Sequence, residues 1–161
     1  MSLQNKTGLV RAVVVIVVSV SFGAAIPHFL TFSPTSSLPY HFFVLNRSVD
    51  VKSLKPGMIV RFPHCDRFTG GEREYLLKRI GCIAGQTLSV SAAKDYFCDG
   101  RYLGRAKDRA LTGEPVKNFV WSGVVPPRKF FAVGDNVNSY DSRYFGFVDR
   151  DAVVGRAYPI F

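Results

Sequence analysis

From Ala12 to Phe32 the chain reads AVVVIVVSVSFGAAIPHFLTF, without one Asp, Glu, Lys or Arg. A helix rises about 1.5 Å per residue, so about 20 apolar residues cross the roughly 30 Å hydrocarbon core of a bilayer. The pattern predicts a transmembrane helix over residues 12–32. Lys6 and Arg11 precede it, and no acidic residue appears before Asp50. The positive-inside rule then puts a short N-terminus, residues 1–11, in the cytoplasm and the rest of the chain outside. Gly23-Ala24-Ala25 also offers the small residues of a leader-cleavage site. Pro27 and the apolar continuation through Phe29, Leu30 and Phe32 favour a retained anchor over cleavage.

After residue 32 the pattern changes. The apolar runs become short and rich in β-branched and aromatic residues: HFFVLN (41–46), MIVRF (58–62), EYLLKRIGCI (74–83), TLSVSA (87–92), KFFAVG (129–134) and AVVGRAYPIF (152–161). Such runs predict strands. Lys55-Pro56-Gly57, Thr69-Gly70-Gly71, Asp99-Gly100 and Pro126-Pro127 separate them with turn chemistry. No long helical periodicity follows the anchor. The expectation is a mainly β, antiparallel, exported domain over 33–161. Within it, residues 91–127 mix polarity with Gly and Pro and read as an extended insertion or irregular hairpin.

Composition narrows the function. In 161 residues, 47% are hydrophobic and 20% charged, which excludes a disordered tail. The net charge of +9 admits nucleic acid or an anionic membrane surface as partner. No run of adjacent basic residues occurs, so nucleic acid is not implied and membrane lipid is. Three cysteines, Cys65, Cys82 and Cys98, are too few and too scattered for a disulfide scaffold or a zinc site. An exported domain permits a disulfide, and Cys82 could pair with Cys98 to leave Cys65 free, but spacing does not decide it. No His/Asp/Glu pair has helical ligand spacing, so neither a metal nor a cofactor is implied.

A serine hydroxyl attacks a carbonyl only when a base takes its proton. His28, His41 and His64 are the available imidazoles, and none is well placed by the strand pattern for a Ser-His-Asp set. Lysine serves instead if burial lowers its pKa from about 10.4 towards neutrality. Lys78 sits within the apolar run Leu76-Leu77-Lys78-Arg79-Ile80. Ser37 lies about five residues beyond the predicted anchor, in Pro34-Thr35-Ser36-Ser37-Leu38-Pro39. Taken singly, Lys78 reads as a strand lysine that snorkels and Ser37 as a turn residue. A dense polar loop, Gly134-Asp135-Asn136-Val137-Asn138-Ser139-Tyr140-Asp141-Ser142-Arg143, follows the run KFFAV. Asp135 and Asn136 read there as a tight turn that satisfies its own backbone.

Together these features resemble the Ser/Lys proteases of the type I signal peptidase (leader peptidase) clan, closest to the conjugative-transfer peptidases called TraF. The resemblance rests on Gly134-Asp135-Asn136, Ser139, Asp141-Ser142-Arg143 and Gly146, on Lys78-Arg79-Ile80 with Gly85 in the following turn, and on Gly57-Met58-Ile59-Val60. Ser37-Leu38-Pro39 matches the Ser-Leu-Pro of the TraF branch. Cys82-Ile83-Ala84-Gly85-Gln86 departs from the usual turn, and His41 stands where TraF proteins usually have glycine.

The resemblance implies a signal-peptidase-like fold with Ser37 as nucleophile and Lys78 as general base. It implies that Thr35 and the Ser37 N–H form the oxyanion hole, and that Ser139 orients the lysine. Asp141 and Arg143 support the loop as an ion pair, Asp141 ranking third among the catalytic candidates. The expected protein is a membrane-anchored endopeptidase of the bacterial inner membrane, with its catalytic domain in the periplasm. Its partner is a precursor carrying a leader peptide. The TraF branch points to pilin maturation for conjugation, with pilin cyclisation as a second activity. The rival expectation is a non-catalytic, membrane-anchored assembly protein on the same fold.

Overall fold

The computed structural model describes residues 3–160, without the side chains of residues 3–9, 22, 24–28 and 69. Helix α1 runs over Leu3–Phe29. Among the described residues no helix is long and apolar enough to cross a membrane. Most of the apolar stretch expected to form the anchor lies in α1, but its side chains at 22 and 24–28, which include Ala24, Ala25 and Pro27, fall outside the description. The last three residues of the expected span are not helical. Leu30–Phe32 is a strand, β1, paired antiparallel with β2 (Phe42–Asn46) through Leu30 opposite Val44 and Phe32 opposite Phe42.

The rest of the described chain is mainly β and antiparallel. Strands β3 (Ile59–His64) and β4 (Glu74–Ile83) form a hairpin with Val60 opposite Lys78. Next come β5 (Thr87–Val90), β6 (Asp95–Cys98), β7 (Arg101–Arg105), β8 (Gly123–Val124) and β9 (Lys129–Val133). A single-turn helix α2 (Ser142–Phe145), β10 (Val148–Asp149) and β11 (Gly155–Pro159) complete the order. One sheet runs β1-β2-β11-β3-β4-β9-β10 and a second runs β7-β6-β5-β8. Residues 91–127 contain the hairpin β6–β7, whose register shifts between Tyr96 and Phe97, and the short strand β8, all in the second sheet. Asp99 and Gly100, both at positive φ, make the tight turn of that hairpin.

Three apolar clusters hold the layers. Val60, Phe62, Ile80, Phe130 and Ala132 form one, with Leu54, Val148 and Val153. Leu88, Tyr96, Val125, Phe131 and Val133 form another, which also holds the Cys82–Cys98 disulfide joining β4 to β6. Strand β9 feeds both, since alternate side chains point to opposite faces. Phe130 and Ala132 go to the first cluster, Phe131 and Val133 to the second. That is why KFFAV carries no polar position after its lysine. The third cluster, Phe43, Leu45, Ile59 and Ala157, takes in Leu38 from the loop between β1 and β2.

Candidate active site

Ser37 lies in that loop. Its neighbour Leu38 is 3% exposed and seated in the third cluster. Burying a leucine contributes roughly 1.5–3 kcal/mol, so the leucine pins the loop and leaves the serine half-exposed at its edge. The Ser37 carbonyl accepts the N–H groups of Asp135 at 2.7 Å and Asn136 at 3.3 Å. This ties the serine loop to the polar loop after β9. The two meet at Gly134, where a Cβ would stand 2.8 Å from the Ser37 carbonyl oxygen and overlap the Ser139 hydroxyl. Glycine is the one residue that admits this convergence.

Lys78 occupies the middle of β4 and is 3% exposed. Its Nζ lies 2.8 Å from Ser37 Oγ and 2.8 Å from Ser139 Oγ. Burial lowers its pKa from 10.5 to about 8; the Asp141 charge acts upward and the Arg143 charge downward. Asp141 is engaged elsewhere. Its carboxylate accepts from Arg143 Nε at 2.8 Å and Nη2 at 2.6 Å, and also from the backbone N–H of Gly134 at 2.8 Å and of Arg143 at 3.1 Å. Both members of this pair are almost wholly buried. Arg143 further donates to the carbonyls of Arg105 at 2.9 Å and Asn136 at 3.2 Å. The pair braces the loop that holds Ser139.

The structure thus brings Ser37, Lys78 and Ser139 into one hydrogen-bonded row, with Asp141 and Arg143 behind it. Thr35 is exposed, and its hydroxyl lies 3.2 Å from that of Ser33. The Asn136 side chain caps its own turn by accepting the Asn138 N–H at 2.8 Å, as the turn reading expects. Asp135 does more than the turn reading expects: it pairs with Arg79, which also donates to the Gly57 carbonyl at 3.2 Å. Strand alternation was the available signal, since it points Arg79 away from the face that carries Lys78. Two of the imidazoles are committed elsewhere. His41 Nδ1 contacts the Ser33 carbonyl, and His64 Nε2 contacts Asp66, which also accepts the Tyr140 hydroxyl.

Chemically, a neutral Lys78 has a lone pair for the Ser37 proton and an N–H for Ser139 Oγ. The arrangement suits proton abstraction from a serine that attacks a carbonyl. The sequence model of the family described as signal peptidase, peptidase S26, matches residues 5–161. The chain belongs to that family.

Relatives in the signal peptidase family include both branches of the resemblance. The chain is 31% identical over 134 residues to a probable signal peptidase I-2 of Synechocystis, an alignment covering 80% of this chain and 57% of that one. It is also 31% identical over 87 residues to the conjugal transfer protein TraF of Agrobacterium tumefaciens, covering 53% of this chain and 48% of that one. The chain spans about half the length of the curated relatives it matches. A crystal structure of a signal peptidase I from Enterococcus faecalis aligns at 25% identity with a TM-score of 0.44, covering 66% of this chain and 98% of that one.

Proposed function

We propose that this chain is a Ser/Lys endopeptidase that cleaves leader peptides from exported precursors. The observation that carries the reading is the buried Lys78 amine, shared between the Ser37 and Ser139 hydroxyls at 2.8 Å each. Ser37 Oγ attacks the scissile carbonyl as its proton passes to Lys78 Nζ. The oxyanion is held by the Ser37 N–H and the Thr35 hydroxyl. Lys78 then returns the proton to the leaving amine, and water, deprotonated by the same amine, releases the acyl group. Ser139 keeps the amine aligned throughout. Removing one such hydrogen bond is worth roughly 1 kcal/mol, so Ser139→Ala should lower kcat about fivefold. The measurement is peptide cleavage at pH 9, with a thermal melt to show that the fold persists.

The pH dependence follows from burial of the lysine. The amine is active when neutral and its pKa is lowered to about 8. The rate kcat/KM should rise with pH, reach half its plateau near 8 and stay level above it. A profile flat from pH 6 to 9 would remove Lys78 as base.

Helix α1 is the anchor in this reading, with the N-terminus cytoplasmic and the catalytic part periplasmic at the inner membrane. Its support is the charge-free run from Ala12 to Phe32. Beside it, Leu30, Phe32, Phe42, Val44 and Tyr158 are exposed, and the strand register sets them on one face of β1, β2 and β11. Such a face fits contact with lipid. The serine, only a few residues beyond the run, then sits at the height where a membrane-held precursor presents its cleavage site.

Within this reading the substrate is a pilin precursor processed for conjugative transfer. Its support is the Ser37-Leu38-Pro39 sequence together with the TraF relatives. Cyclisation requires a second cut near the pilin C-terminus, in which the C-terminal fragment leaves with its amine and the pilin's own carboxyl stays as the Ser37 ester. The pilin amino terminus, freed by leader removal, then attacks that ester in place of water, forming an amide and releasing Oγ. The test is co-expression with a candidate pilin precursor and intact-mass analysis. A mature product supports the peptidase, and a product lighter than the linear chain by one water shows cyclisation. Leader-bearing precursors left intact by the wild type favour the non-catalytic assembly protein.

A further inference from the structure

The loop that presents Ser37 carries a second, buried hydroxyl. Ser33 is 9% exposed, whereas Pro34, Thr35 and Ser36 are exposed. One residue grips its backbone from both sides. The Ser33 N–H donates to the His41 carbonyl at 2.8 Å, and the Ser33 carbonyl lies 3.0 Å from His41 Nδ1. A carbonyl only accepts, so His41 Nδ1 carries the hydrogen. His41 thereby closes the base of the loop and fixes Ser33 to the frame. From that fixed point, Ser33 Oγ lies 3.2 Å from Thr35 Oγ1.

We propose that Ser33 is a positioning residue that aims the Thr35 hydroxyl at the oxyanion, an inference that rests on the reading of Thr35 as an oxyanion donor. Each hydroxyl has a single hydrogen. When Thr35 gives its hydrogen to the oxyanion, the contact between the two residues must run from Ser33 to Thr35. A hydroxyl that accepts one hydrogen bond donates a stronger one, so Ser33 both orients and polarises the donor. Without Ser33, an exposed threonine samples its other rotamers and gives its hydrogen to water. His41 acts one step further back, by holding Ser33 in place.

The test needs no leader peptide. A fluorophosphonate labels Ser37 by forming an Oγ–P bond as the P–F bond breaks; fluoride leaves, and the serine proton passes to Lys78. The phosphoryl oxygen occupies the oxyanion position, and labelling is timed by intact mass at pH 9. Ser33→Thr and Ser33→Val share a shape and differ in the hydroxyl, so changes in packing cancel. Labelling of Ser33→Val should be about fivefold slower than that of Ser33→Thr, the effect of one hydrogen bond. In a Thr35→Ala background the two should label alike. Equal rates in the Thr35 background of the natural chain overturn the proposal, as does an unchanged, roughly fivefold difference in the Thr35→Ala background. A wild type that labels at Ser37 yet cleaves no leader peptide overturns the substrate reading alone. One that neither labels nor cleaves a leader peptide overturns both.

Discussion

Replacing Ser37 with alanine, or Lys78 with methionine, is expected to abolish leader-peptide cleavage while leaving the fold intact. Groups that act as a unit fail together, and loss of either should lower kcat about ten-thousandfold or more. The two variants should differ in stability. Lys78 titrates at about 8 in the folded chain against 10.5 for an ordinary lysine. Between those values the unfolded chain binds the extra proton, so stability rises with pH through that window. Below about 8 the native state holds a buried ammonium at the full cost of burial. At pH 7 Lys78→Met removes that cost, of order 3 kcal/mol, and should melt at a higher temperature than the wild type. Ser37→Ala should not. Cleavage by Ser37→Ala would place the nucleophile elsewhere. A Lys78→Met variant less stable than the wild type would mean that the amine is not desolvated as its burial indicates.

The largest loss of stability is expected from Arg143→Ala. Asp141 and Arg143 are 0% and 1% exposed and joined by two hydrogen bonds. Removing one partner of a buried pair leaves an uncompensated charge and costs about 3–5 kcal/mol. For a chain of this size that corresponds to a fall of roughly 10 °C in Tm. Arg143→Lys should rescue little, because an ammonium cannot reproduce the planar fork or reach the Arg105 and Asn136 carbonyls at the same time. The pair also acts on the lysine. Arg143 holds the Lys78 pKa down and Asp141 holds it up, so any remaining activity in Arg143→Ala should have its pH midpoint above 8. A melt within 1–2 °C of the wild type would show that the pair is not needed to brace the loop.

Much of this was legible in the chain. EYLLKRIGCI coincides with β4 from Glu74 to Ile83, because a run of apolar and β-branched residues between turn signals has few other ways to fold. The hydrogen bonds among Ser37, Lys78 and Ser139, and the Asp141–Arg143 pair, join the residues that the motifs singled out. Four features were legible only in part or not at all. Leu30–Phe32 is as apolar as the helix before it, and only its partner β2 decides that it is a strand. The β6–β7 hairpin has polar and glycine positions because half of it faces solvent. The Cys82–Cys98 disulfide depends on a crossing between two sheets, which local spacing does not encode. Ser33 resembles any other serine in a serine-rich loop; its burial and its grip by His41 exist only once the loop closes.

The place of β11 in the sheet order has a consequence for how the protein comes into being. The hairpin that carries Ser37, β1–β2, does not touch the hairpin that carries Lys78, β3–β4, by strand pairing; β11 lies between them and bonds to both β2 and β3. Among the described strands it is also the last in chain order. A ribosome that has already delivered Ser37 and Lys78 has therefore not yet delivered the strand that joins their two hairpins. On the proposed Ser/Lys reading, a nascent chain halted before β11 is expected to cleave nothing, and one halted after Pro159 is the first expected to do so.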